Sequence, residues 1–83
     1  MIIVSQDKKR TVENLNLGIR EAGEYNQNYV IYNTEIGEDL GEYSTEERAK
    51  EVLQEITKTY FDENCEFENG IYHLQKIYEM PEE

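Results

Sequence analysis

The chain opens on Ile2-Ile3-Val4-Ser5, a short β-branched run that predicts a first strand. Asp7-Lys8-Lys9-Arg10 reads as a polar turn. Leu15, Leu17 and Ile19 then alternate with Asn16, Gly18 and Arg20, the two-residue period of a half-buried strand. The stretch Ala22-Gly23-Glu24-Tyr25-Asn26-Gln27-Asn28 is rich in turn formers. Tyr29-Val30-Ile31-Tyr32 follows, apolar on both faces, and continues to Thr34, which predicts a strand covered on both sides. Gly37-Glu38-Asp39 makes the next turn, and Leu40-Gly41-Glu42-Tyr43 a fourth short strand.

The period then changes. Ala49, Val52, Leu53, Ile56 and Tyr60 fall on one face of an α-helix. Ser44 and Glu47 stand three residues apart, as in a capping box, with Ser44 as N-cap. A helix over about residues 45–60 follows, with Glu46 and Glu47 at the positive end of its dipole. Asp62 to Gly70 reads as an acidic loop closing on an Asn69-Gly70 turn. Residues 71–80 fit both a helical and a strand pattern. We read a final strand from about Gln75 to Met80, ended by Pro81, which has no amide to offer a ladder. The expected fold is one α+β domain over residues 1–83. It is an antiparallel β-meander of about four strands, one helix packed on the sheet, then a short C-terminal strand, in the order β-β-β-β-α-β.

Composition narrows the function. The chain has 83 residues, 8 basic against 19 acidic, for a formal net charge of −11. That sign opposes direct binding to nucleic acid or to an anionic membrane. The charge is uneven: residues 1–20 carry a net +2 and the remainder −13. Leu, Ile, Val and Phe make up 19 of the 83 residues. This is just above the roughly 20% below which a highly charged chain stays disordered. A chain this small draws only about 3–5 kcal/mol of net stability from its own core, so self-association, as a homodimer, is expected. The apolar run Met1-Ile2-Ile3-Val4 is shorter than a secretory or spanning segment requires, and Cys65 stands alone, so a cytoplasmic setting is expected.

Catalytic and metal chemistry find little footing. His73 is the single histidine, and its spacing from Cys65 matches no zinc pattern. Cys65 is flanked by Asp62, Glu63, Glu66 and Glu68, and nearby negative charge opposes thiolate formation. Counted from Asp62, the sixth and twelfth positions of a calcium loop would be Phe67 and His73, which fails the EF-hand pattern. Gly18, Gly23, Gly37, Gly41 and Gly70 match neither a dinucleotide fingerprint nor a P-loop. Lys8-Lys9-Arg10 reads as a solvated basic turn. The expectation is a non-enzymatic protein with no catalytic residue, no metal and no cofactor.

Two features point to a binding surface. The chain has seven tyrosines and no tryptophan, and tyrosine suits both small cores and interfaces. Tyr29, Tyr32 and Tyr60 are expected in the core or against the sheet. Tyr25, Tyr43, Tyr72 and Tyr78 are the interface candidates. Opposite the apolar stripe, Glu47, Glu51 and Glu55 repeat every four residues. Like charges at that spacing cost about 0.2–0.5 kcal/mol per pair, and Glu46–Lys50 is the favourable match. The expected partner-binding residues are Glu47, Glu51, Glu55, Tyr43 and Tyr78.

The opening Met1-Ile2-Ile3-Val4-Ser5-Gln6-Asp7-Lys8, the block from Leu40 to Ile56, and the ending Tyr78-Glu79-Met80-Pro81-Glu82-Glu83 resemble small uncharacterised proteins of phages and prophages of Gram-positive bacteria. The resemblance covers both ends and the helix. It transfers no functional residue; it implies an accessory gene on a mobile element, of a kind that often acts on host machinery. The expected function is therefore an acidic protein-interaction module that engages a basic host protein. Inhibition of a host nucleic-acid-binding defence or regulatory protein is its specific form. A compact chain about 30 Å across matches about 18 duplex charges, so a net −11 gives roughly 60% of that density. The alternatives are a homo-oligomer binding a small ligand in a tyrosine-lined pocket with Arg20 and Lys76, and a structural or virion-associated protein.

Overall fold

The structure, a computed structural model, describes residues 1–65 and 77–83, with side chains along the helix as far as Phe61. Residues 62–65, expected to open an acidic loop, are instead the last turn of the helix, whereas residues 66–70 of that loop, Tyr72, His73, Lys76 and the side chain of Cys65 lie outside the described residues. The α+β class is found. β1 (Ile2–Val4) pairs antiparallel with β2 (Thr11–Val12). β3 (Leu17–Gly23), β4 (Asn26–Asn33) and β5 (Asp39–Tyr43) form an antiparallel meander. α1 (Glu46–Cys65) follows, and β6 (Ile77–Glu79) runs parallel to β1, with Ile3 beside Tyr78.

The first strand therefore does not join the meander. It centres a second sheet in the order β2-β1-β6. Parallel neighbours need a long connection between them, and β3 through α1 supplies it. The reading from sequence followed the tendency of consecutive strands to pair, which fails at this step. β2 is two residues long and carries no pattern that periodicity detects. The turn before it is held locally: Ser5 Oγ donates to Asp7 Oδ1 at 2.6 Å, and Asp7 Oδ1 also accepts from the Lys9 amide at 3.0 Å. These two bonds, the serine hydroxyl first, hold the Asp7 carboxyl below its usual range. Lys8 takes a positive φ of 62° inside this turn.

The β3–β4 hairpin reaches further than its polar residues suggested. Gly23 pairs with Asn26, so the turn shrinks to Glu24-Tyr25, and residues 21–23 and 26–28 extend the strands. Backbone bonds sustain the ladder even where the side chains are polar. The β4–β5 connection is organised by Asn33, which is fully buried. Its Oδ1 accepts from the amides of Glu35 and Ile36 at 3.0 and 3.1 Å, and its Nδ2 donates to Asn14 Oδ1 at 2.7 Å. Gly37, with a φ of 77°, completes that turn.

α1 packs across β3, β4 and β5. Its cap is Thr45, whose Oγ1 accepts from the Arg48 amide at 3.1 Å, so the N-cap lies one residue beyond Ser44. The helix also runs past Tyr60 to Cys65; neither glycine nor proline interrupts that stretch, and the apolar stripe simply ends before the helix does. Ala49, Val52 and Ile56 are buried, while Leu53 and Tyr60 are half-buried. Ala49, Val52, Ile56 and Tyr60 join Ile31, Leu40 and Tyr43 from the meander, and Met1, Ile3 and Met80 from the two chain ends, in or against one core.

Because Val52 and Ile56 are shielded from solvent, truncation leaves a cavity. Ile56→Ala is expected to cost about 2–5 kcal/mol, of the order of the whole stability of a chain this size. Denaturant unfolding measures it; an unchanged midpoint would mean that Ile56 does not face the core.

Candidate functional site

β6 and the residues after it are fastened to the rest of the chain by several polar contacts. The Met80 amide donates to Val4 O at 3.0 Å, continuing the β1–β6 ladder. Gln6 extends the edge of β5: its amide donates to Leu40 O at 2.7 Å, and its Oε1 accepts from the Glu42 amide at 2.8 Å. Its Nε2 lies 3.1, 3.1 and 2.8 Å from the carbonyls of Glu42, Pro81 and Glu82. One glutamine thus joins β5 to the C-terminal segment.

That segment lies along one flank of α1. Tyr78 is half-buried, and its hydroxyl donates to Glu55 Oε1 at 2.7 Å. Arg48 Nε donates to Glu83 O at 2.9 Å. The same guanidinium stands 3.3 Å from Glu51 Oε1 and 3.9 Å from Glu55 Oε2. Glu47, Glu51 and Glu55 are all exposed, as are Glu82 and Glu83. Glu47 has no side-chain partner among the described residues. The expected Lys50–Glu46 pair forms at 3.1 Å.

Tyr43 is corrected from an interface residue to a core residue. It is only 2% exposed, and its hydroxyl donates to Pro81 O at 2.8 Å. Its ring lies over Gly41, where an added Cβ would come within 2.9 Å of the hydroxyl and 3.0 Å of the Met80 Cε. The Gly41-x-Tyr43 spacing was the available signal: both residues share one face of β5, and only glycine leaves room for the ring. Tyr25, another interface candidate, is 97% exposed on the β3–β4 turn.

Four of the five expected site residues meet in this region. Glu51, Glu55 and Tyr78 share contacts around Arg48, and Tyr43 anchors the same C-terminal segment from beneath. Arg48 is the residue that sequence reading missed. Arg48 has no acidic partner four residues away in the helix; it reaches Glu51 at i+3 and Glu55 at i+7. Because Arg48 and Tyr78 hold two of the three carboxylates, the repulsion expected along Glu47, Glu51 and Glu55 is partly offset. Exposed pairs of this kind contribute little to stability in any case.

Arg20, proposed as a pocket residue, already has partners. Its Nη2 is 2.7 Å from both carboxylate oxygens of Asp39, and its guanidinium lies 5.8 Å from the Tyr32 ring centroid. Among the described residues no group of three or more His, Cys, Asp or Glu side chains stands in an arrangement able to hold a metal. No protein-family model, curated protein or solved structure matches this chain.

Both anchoring phenols resist ionisation. Burial pushes Tyr43 up to about 12, with the charge of Glu55 adding to the shift and that of Arg48 opposing it. Burial and the hydrogen bond to Glu55 push Tyr78 up as well. A phenol whose pKa rises on folding contributes stability that is fully present below about pH 10 and is lost as pH climbs toward the folded value. Stability is therefore expected to fall from about pH 10 toward pH 12. Tyr43→Phe is expected to flatten that alkaline fall, and to cost about 0.5–1.5 kcal/mol at neutral pH through the lost bond to Pro81. Denaturant titrations across this range measure both; equal alkaline slopes for variant and parent would contradict the role given to Tyr43.

Proposed function

We propose that this chain is a non-enzymatic protein-interaction module of the bacterial cytoplasm, acting as a homodimer, that engages a basic host protein through the acidic flank of α1. The observation that carries this reading is the charge balance on that flank. Glu51 and Glu55 stand beside one guanidinium, that of Arg48, which also donates to the Glu83 carbonyl, while Glu47, Glu82 and Glu83 add exposed carboxylates on the helix and the C-terminal segment. Arg48 is already shared among two carboxylates and a carbonyl, so most of the negative charge faces outward. The helix is held by its buried stripe and by Tyr78, so the carboxylates are presented on a firm scaffold. No helix among the described residues is long and apolar enough to cross a membrane, which agrees with a partner met in water.

The charge density bears on how such a module works. The longest dimension is 50 Å, and a duplex of that length carries about 29 charges. A net −11 is well under half of that. The acidic flank acts as a local patch that steers a basic surface, and imitation of a DNA segment requires a second copy. Inhibition of a nucleic-acid-binding host protein stays the favoured form, because such proteins carry the complementary positive surface.

The test uses the parent and a Glu47→Gln/Glu51→Gln variant as bait in a bacterial host lysate, followed by surface-binding kinetics with the captured protein. Glu55 is left intact because it holds Tyr78. The variant is expected to lower the association rate about threefold to tenfold, and to reduce its salt dependence, since salt screens steering over about 8–10 Å. Its melting temperature is expected to stay near that of the parent. Unchanged association kinetics would remove this flank as the binding surface.

A further inference from the structure

β3 forms an open edge of the meander sheet among the described residues, since its other side faces no described strand. Two backbone bonds define which of its groups point outward. Thr34 N donates to Asn16 O at 2.7 Å, and Asn33 N donates to Glu38 O at 2.8 Å. Main-chain direction alternates along an antiparallel ladder. Gly18 and Arg20 therefore bond to β4 opposite Tyr32 and Val30, whereas Leu17, Ile19 and Glu21 turn their amides and carbonyls to the open side.

Two of those outward groups are already occupied. The Leu17 amide donates to Leu15 O at 2.9 Å, and the Glu21 carbonyl accepts from Arg20 Nη1 at 3.0 Å. Four remain without a partner among the described residues: the Ile19 amide and carbonyl, the Glu21 amide and the Leu17 carbonyl. The strand reads Leu-Gly-Ile-Arg-Glu-Ala-Gly, with no proline or lysine to block an approaching strand.

We propose that two copies of the chain join through β3, antiparallel, about a two-fold axis at Ile19. This rests on the self-association proposed above and names its surface. In such a pair each Ile19 amide donates to the Ile19 carbonyl of the second copy, and each Glu21 amide to the Leu17 carbonyl of the second copy. All four free groups of each chain are used. The two occupied groups, the Leu17 amide and the Glu21 carbonyl, fall opposite each other and need no new bond.

Charge selects the same register. A two-fold axis places one residue opposite its own copy. Centring on Arg20 sets two guanidinium groups against each other, and centring on Glu21 sets two carboxylates against each other; like charges directly opposite are destabilising. Centring on Gly18 carries the Glu21 amide past the other strand's free groups. Centring on Ile19 sets isoleucine against isoleucine. Ile19 and Leu17 already pack against the core beneath α1, so the apolar layer continues from one copy into the next. The product is a six-stranded antiparallel sheet with both helices on one face.

Sedimentation equilibrium of three proteins tests the register: the parent, Leu17→Glu, and Leu17→Glu/Glu21→Lys. Leu17→Glu places a carboxylate opposite Glu21 of the second copy, twice per dimer. The double variant turns both contacts into opposite-charge pairs. Both variants lose the same Leu17 packing, and positions 17 and 21 are about 13 Å apart along one strand, too far to interact within a chain. The parent is expected to dimerise, Leu17→Glu to weaken the dimer about tenfold, and the double variant to return it to within about threefold of the parent. A dimer that both variants weaken equally overturns the β3 pairing and leaves self-association standing. A parent that stays at 9.9 kDa into the high micromolar range overturns both.

Discussion

The two ends of the chain meet, and the remaining architecture depends on that meeting. β6 lies parallel to β1, so residues near opposite ends of the sequence become neighbours. Met1 and Ile3 from one end and Met80 from the other enter the same core as the helix stripe. With so few aliphatic residues to spend, a core without these three would lose much of its volume. Closing so long a loop costs only slightly more than closing a short one, because the entropy grows with the logarithm of length. The polar ties around Gln6 and Tyr43 then fix where the last residues lie.

That closure also creates the candidate site. An isolated helix would present Glu47, Glu51 and Glu55 as a repelling row. The returning segment brings Tyr78 to Glu55 and the Glu83 carbonyl to Arg48, which converts the row into an ordered array whose positive charge is used internally. The ordered acidic flank and the completion of the core are two results of one event. A change that frees the C-terminal segment is therefore felt on the acidic flank even where no acidic residue is altered.

The elements with a strong local rule were legible in the sequence. The helix followed from Ala49, Val52 and Ile56, and the meander from alternation around Ile19 and from the apolar block at Val30 and Ile31. Elements governed by distant contacts were not. β2 is too short to show a period, and nothing local says that β6 runs parallel to β1 rather than against it. Thr45 displaced Ser44 as the cap because both side chains suit the position and only backbone geometry chooses between them. The acidic residues of the site were visible as a spacing. The contacts of Arg48 fall at i+3 and i+7, and the one local sign that Tyr43 is buried is the Gly41-x-Tyr43 spacing, which leaves room for the ring without showing that it folds back over the glycine.

Hydrogen exchange of the Met80 amide tests the closure most directly. This group donates to Val4 O, at the junction of the two chain ends. The account predicts that it is protected to a degree comparable with the Ile31 amide in the centre of the meander, and that Gln6→Ala lowers protection at Met80 while leaving Ile31 unchanged. A Met80 amide that exchanges as fast as one in an unfolded peptide, in a chain whose Ile31 amide is protected, would contradict it.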